Sequence, residues 1–129
     1  STVLEPIGMG RSFFGLELAP EWAEEAAFGH RPDGGQVEGR WHRYPELAAA
    51  GLWTTPTDLL AWGVEVLKSV DGRANNVLSP EMTRAMLEPG MGDWGLGPEI
   101  SSDGLRFFHT GSNQGYRCIL AISKDGSVG

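Results

Sequence analysis

The residues of this chain best suited to chemistry sit near its C-terminal end, in Phe107-Phe108-His109-Thr110-Gly111-Ser112-Asn113-Gln114-Gly115-Tyr116. An imidazole titrates close to neutrality and can pass a proton. A hydroxyl and a backbone N–H beside it can hold a carbonyl or carboxylate oxygen, and a glycine lets a substrate come close to the main chain. Leu105 to Phe108 is bulky and strand-prone, whereas Gly111 to Gly115 is small and turn-prone, which predicts His109-Thr110-Gly111 at the exit of a strand. A His-Thr pair on a strand also occurs without any catalytic duty, so the triplet needs company.

That company is Tyr44-Pro45-Glu46-Leu47-Ala48-Ala49-Ala50-Gly51-Leu52-Trp53-Thr54-Thr55-Pro56-Thr57-Asp58-Leu59, a glycine-bearing connector running into a marked helix start. Together with His109 to Tyr116 and the opening Leu4-Glu5-Pro6-Ile7-Gly8-Met9-Gly10-Arg11-Ser12-Phe13-Phe14, it resembles the class C β-lactamase-like serine hydrolases. That group takes in β-lactamases, D-Ala-D-Ala carboxypeptidases of the penicillin-binding type, D-aminopeptidases and carboxylesterases. The resemblance extends from the first residues to the last and implies a partial β-lactamase/transpeptidase-like fold.

In that family a Ser-x-x-Lys supplies the nucleophile, a Tyr-x-Asn helps move its proton, and a Lys/His-Thr/Ser-Gly strand forms one wall. Only the third occurs in this chain. No serine from Ser1 to Ser127 is followed three places on by lysine, and Tyr44 and Tyr116 are followed two places on by Glu46 and Cys118. A serine hydroxyl without an adjacent base is a poor nucleophile, so the 129-residue chain is expected to be inactive alone and to be the C-terminal part of a longer hydrolase. By resemblance, His109 takes the catalytic Lys/His place, Thr110 and Gly111 bind and admit substrate, and the N–H of Ser112 is half of an oxyanion hole. The implied partner is a small ester, amide or β-lactam. Histidine in place of lysine points to an esterase or peptidase, because imidazole holds a carboxylate less firmly than ammonium. The alternative is a non-catalytic binding or assembly module derived from the same fold.

The elements that must position these residues can be read from punctuation. Ala19 to Ala27, with Pro20 at the first turn, predicts a short helix. His30 to Gly35 reads as a turn, with Gln36 to Trp41 extended beyond it. Thr55 as cap, Pro56 at the first position and Asp58 three residues after the cap predict a helix to about Val70, so Asp58 reads as a cap and not a catalytic acid. Leu59, Trp62, Val66 and Val70 make its buried face, flanked by Leu60, Val64 and Leu67. Ser79 and Pro80 open a second helix with Met82, Ala85 and Met86 as its buried stripe. An antiparallel meander follows: Trp94 to Ile100, a turn at Ser101 to Gly104, Leu105 to Thr110, and Tyr116 to Ser123. The class is α+β, one partial domain over 1–129, with 1–92 mainly helix and loop and 93–129 strands. Lys124-Asp125-Gly126-Ser127 predicts a hairpin turn whose return strand stops at Val128 and Gly129, leaving an edge through which two copies could pair as a homodimer.

Composition narrows the function classes. At 40% hydrophobic and 21% charged, the chain falls among globular sequences and not disordered tails. A net charge of −7, with basic residues scattered, argues against a nucleic-acid or anionic-membrane surface. No stretch is long and apolar enough to span a bilayer. The single cysteine, Cys118, allows no internal disulfide and reads as a small buried hydrophobe. His30 and His42 lie in turn-rich sequence with few carboxylates nearby, so no metal and no cofactor is expected. Glu24 and Glu25 point in different directions along a helix. Gly92, Gly95 and Gly97 lack the Lys-Ser/Thr that would hold a phosphate. Trp41 and Trp53, flanking the glycine connector, are candidates to line a cleft. The compartment, bacterial periplasm or cytoplasm, is left open.

Overall fold

The computed structural model describes residues 2–125. In chain order it runs β1 (Phe13–Phe14), α1 (Pro20–Ala23), α2 (Leu47–Ala50), β2 (Leu52–Trp53), α3 (Pro56–Val70), α4 (Pro80–Met86), β3 (Glu99–Ile100), β4 (Arg106–Asn113) and β5 (Tyr116–Ser123). Helices with antiparallel sheets make this the α+β class. The return strand expected after Asp125 lies outside the described residues.

Two compact units divide the chain, and neither is contiguous. One comprises 1–11, 54–110 and 119–129; the other comprises 12–53 and 111–118. The division falls within β4 and again within β5.

The first unit is built on α3. Thr55 caps it as its spacing predicts, its hydroxyl accepting the Asp58 N–H at 3.2 Å, with Pro56 where a missing N–H costs nothing. Val66 is buried with Leu87, Ile100, Phe107, Leu120 and Ile122, while Leu59, Leu60, Trp62, Leu67, Val70 and Met86 close over this core. Trp62 meets Phe107 edge-on, ring centroids 6.1 Å apart. Gly63 lets the helix approach the sheet, since a Cβ there would overlap the Ile122 side chain. Val64, expected in the buried flank, is exposed because it lies nearly half a turn away from the line of Leu59, Trp62 and Val66.

Ser79 caps α4 through the Met82 N–H at 3.3 Å. The helix then buries Thr83, with Met86 and Leu87 on the core, and leaves Met82 and Ala85 outside. The expected Met82-Ala85-Met86 stripe is therefore rotated, and a polar contact explains why: Ser69 and Thr83 hydrogen-bond at 2.8 Å in the α3–α4 contact, with Ser69 also reaching the Leu78 carbonyl at 3.0 Å. A buried hydroxyl pair that satisfies itself fits where a methionine was expected. Arg84 ties the two helices again by donating to the Val70 carbonyl at 2.9 Å.

β3 is much shorter than the Trp94 to Ile100 strand expected from sequence. Gly95 and Gly97 break that run into a turn, held by Gly95 N–H to Pro98 O at 2.9 Å and Leu96 N–H to Met86 O at 2.8 Å. Only Glu99 and Ile100 pair with β4, opposite Phe108 and Phe107. The Ser101 to Gly104 turn forms as expected, closed by Gly104 N–H to Ser101 O at 2.7 Å with Gly104 at φ 69°.

In the second unit β1 and β2 pair antiparallel, Phe13 with Trp53 and Phe14 with Leu52. Trp53 donates its indole N–H to the Gly15 carbonyl at 3.2 Å and meets Trp41 edge-on at 5.3 Å. The two tryptophans expected to line a cleft thus pack on each other. Helix α1 stops at Ala23, short of the expected Ala27, where the chain turns with both the Glu25 and Ala26 N–H groups on the Trp22 carbonyl. The Arg40 guanidinium replaces the missing continuation: it donates to the Ala23 carbonyl at 2.6 Å and lies 4.3 Å from the Phe28 ring centroid.

Candidate active site on strand β4

His109, Thr110, Gly111 and Ser112 lie inside β4 and not at its exit, because the strand continues to Asn113 and the reversal is made by Gln114 and Gly115. What carries the strand through the small residues is the hairpin itself. Gly115 adopts φ 89°, and a Cβ on it would come within 2.7 Å of the Gly29 Cα and the Val37 side chain. Only glycine fits that turn. Gly111 is constrained differently: a Cβ there would overlap Cys118 Sγ across the hairpin. Cys118 is exposed, contrary to the expectation of a buried cysteine, because the facing position carries no side chain to cover it.

The backbone phase of β4 follows from its pairing with β3. Ser101 N–H donates to the Arg106 carbonyl at 2.9 Å, and Glu99 stands opposite Phe108. In an antiparallel strand, alternate residues present their N–H and C=O to the same side, so the even-numbered residues 106, 108, 110 and 112 face the β3 side. β3 reaches only to Phe108. Among the described residues no strand pairs with β4 beyond it on that side. The Thr110 N–H therefore points along an edge that no described strand pairs, a geometry of the kind that can add an extended chain.

His109 is exposed, and its Nδ1 lies 2.7 Å from the Thr110 carbonyl. A carbonyl only accepts, so Nδ1 carries the proton and donates, leaving Nε2 to exchange a proton with a partner. The imidazole meets the Trp94 ring edge-on, centroids 5.9 Å apart and planes at 75°. Sequence reasoning gave Trp94 no role, and nothing in the local pattern places it there. It arrives through the Gly95–Gly97 turn.

The structure also ties the sequence landmarks together. Arg11 N–H donates to Asp58 Oδ2 at 2.8 Å, joining the opening segment to the start of α3, so Asp58 serves as more than a cap. In the other unit, Asn113 Nδ2 donates to the Ala50 carbonyl at 3.1 Å and Gln114 N–H to the Tyr44 hydroxyl at 2.7 Å. The connector from Tyr44 and the far end of β4 are thus directly bonded. His30 and His42 are not brought together: His30 Nδ1 bonds the Phe28 carbonyl at 2.9 Å, and His42 packs on Tyr44 at 4.9 Å. Among the described residues no group of three or more His, Cys, Asp and Glu could hold a metal, and no helix is long and apolar enough to cross a membrane.

The chain belongs to the beta-lactamase family, whose model matches residues 1–129. Among solved structures it is similar to an octameric penicillin-binding protein homologue from Pyrococcus abyssi, at 21% identity and a TM-score of 0.71 over 98% of this chain and 30% of that one. It is likewise similar to a penicillin-binding protein from Bacillus halodurans, at 16% identity and a TM-score of 0.73 over 97% of this chain and 40% of that one. This chain thus spans well under half of either protein's length. A comparison with curated proteins gives no match.

Proposed function

We propose that this chain supplies one wall of the active site of a serine hydrolase that cleaves esters, amides or β-lactams through an acyl-enzyme. The observation that carries the reading is the edge of β4 beyond Phe108, which no described strand pairs on the β3 side, with the exposed His109 bonded to Thr110 on it. In the reaction a serine Oγ attacks the substrate carbonyl carbon, its proton passes to a base, and the carbonyl oxygen becomes an oxyanion. The Ser112 N–H donates to that oxyanion, a contact of a kind that contributes several kcal/mol, roughly 3, to transition-state stabilisation. The C–O or C–N bond then breaks as the leaving group takes the proton, and water releases the acyl group. His109, with Nδ1 held by Thr110, presents Nε2 to the proton in transit or to a substrate carboxylate. Thr110 contributes its hydroxyl to the same carboxylate or carbonyl, and Gly111 keeps the edge clear.

The serine and its base lie outside these 129 residues, since no serine here has a lysine three places on. Histidine at the strand favours esters and amides over β-lactams. Turnover of p-nitrophenyl acetate and nitrocefin, measured on residues 1–129 and on the longest natural polypeptide containing them, tests the assignment. Activity in the longer polypeptide alone, with ester preferred, is the expected result. Activity in neither overturns it and leaves a binding or assembly module. Among the described residues β5 is the outermost strand of its sheet, and it exposes Ile119, which supports a homodimer paired along that edge. Size-exclusion chromatography with light scattering should then give twice the chain mass, and Ile119→Lys should return it to one.

A further inference from the structure

We infer that Trp94 forms an apolar subsite beside His109, so that the preferred substrate carries an aromatic or branched aliphatic group next to its scissile carbonyl. This rests on the hydrolase reading above. A tryptophan left 46% exposed on a glycine-rich turn is normally a mobile surface residue, but this one is built in. Its carbonyl accepts the Gly90 N–H at 2.8 Å, its own N–H reaches the Met91 carbonyl at 3.3 Å, and the next peptide's Gly95 N–H is bonded to Pro98. The preceding Asp93 carbonyl accepts Ile100 N–H at 2.7 Å, anchoring the turn to β3. The Trp94 backbone bridges both Met91 and Glu99, so the point at which its side chain leaves the main chain is fixed from two sides. Gly95 is required for this: a Cβ there would run into the Met86 carbonyl, so a non-glycine residue would push the turn away.

The result is an indole carried on a fixed backbone, in T-shaped contact with the His109 imidazole and with close to half its surface open to solvent. Met91, its bridge partner, is 88% exposed and Leu96 is 72% exposed on the same turn. Such a concentration of exposed apolar surface on a chain of net charge −7 has a cost in water, and its contact with His109 specifies what covers it. A group attached to the carbonyl held at the β4 edge is the occupant the contact selects. An aromatic ring or branched alkyl group fits an indole face and gains from desolvating it, whereas a methyl or a charged group does not.

The test uses the longest natural polypeptide containing residues 1–129 and two series of esters, one varying the acyl group from acetyl to phenylacetyl with a p-nitrophenyl leaving group, the other varying the alcohol with a fixed acetyl. In at least one series wild type should favour the aromatic member in kcat/KM by about ten-fold or more, and Trp94→Ala should abolish that ratio, whatever it does to the absolute rates. Trp94→Phe should restore most of it. A change confined to folding or to overall rate would move all substrates together, which separates a subsite from a structural prop. If Trp94→Ala fails to fold, Trp94→Gln read on the same ratio replaces it. Unchanged ratios in both series, with hydrolysis intact, overturn the subsite while leaving the hydrolase reading standing. Loss of all ester turnover in wild type overturns the hydrolase reading itself.

Discussion

At the scale of single residues, the proposed site contains two positions that behave oppositely. His109 is exposed and touches the rest of its unit mainly through Trp94 and the Thr110 carbonyl. His109→Ala should therefore lower ester turnover of the active polypeptide by about 10²-fold or more, as loss of a proton-transfer group does, with melting temperature nearly unchanged. Parallel loss of folding would mean that the ring serves as packing. Gly111 is the reverse case, because its hydrogen occupies space that Cys118 Sγ denies to a methyl. Gly111→Ala should destabilise by about 1–3 kcal/mol in urea unfolding, and most of that should vanish in a Cys118→Ala background. Equal costs in both backgrounds would show that backbone conformation, not the sulfur, demands glycine.

Between residues and the whole, the elements show how far a one-dimensional pattern reaches. α3 was legible end to end, because Thr55, Pro56 and Asp58 mark its start chemically and its apolar spacing marks the buried side. β5 was legible because strict alternation survives from Tyr116 to Ser123. The extension of β4 through His109 to Asn113 was not, since residues 109–113 have the composition of a loop and are held extended by their hairpin partner. Nor was the Thr83–Ser69 contact, which a hydrophobicity pattern reads as solvent-facing. At the candidate site the triplet itself was visible; the open edge was not, because it depends on where β3 stops. Trp62→Ala tests the α3 assignment. With the ring on the core but partly covered, the loss should be about 3 kcal/mol, at the low end for a large aromatic. A value near zero in denaturant unfolding would remove α3 from the core.

On the scale of the molecule, the partly buried Tyr116 links pH to the fold. Burial raises the Tyr116 hydroxyl above its ordinary value of 10.0, with the Arg40 guanidinium and the Gly29 backbone pulling the other way. The folded protein thus holds that proton more tightly than the unfolded chain. Its contribution is complete below the unfolded value and is lost as pH rises through the folded one, so stability should fall above about pH 10. Tyr116→Phe gives up the bond to the Ala27 carbonyl at 2.7 Å, so it should be weaker near neutrality but flatter on the alkaline side. An equally steep alkaline limb in the variant would assign the effect elsewhere. The interleaving of the two compact units has a temporal consequence as well. Residues 12–53 are synthesised early, yet the segment that completes their unit is 111–118. The bonds from Gln114 to Tyr44 and from Tyr116 to Ala27 close 70 and 89 residues of chain. At ribosomal speeds those early residues wait on the order of several seconds for their missing strand. Of the two segments of that unit, the one made first is thus finished only when the second arrives, and Trp22, Trp41 and Trp53 are what a chaperone would meet in the interval.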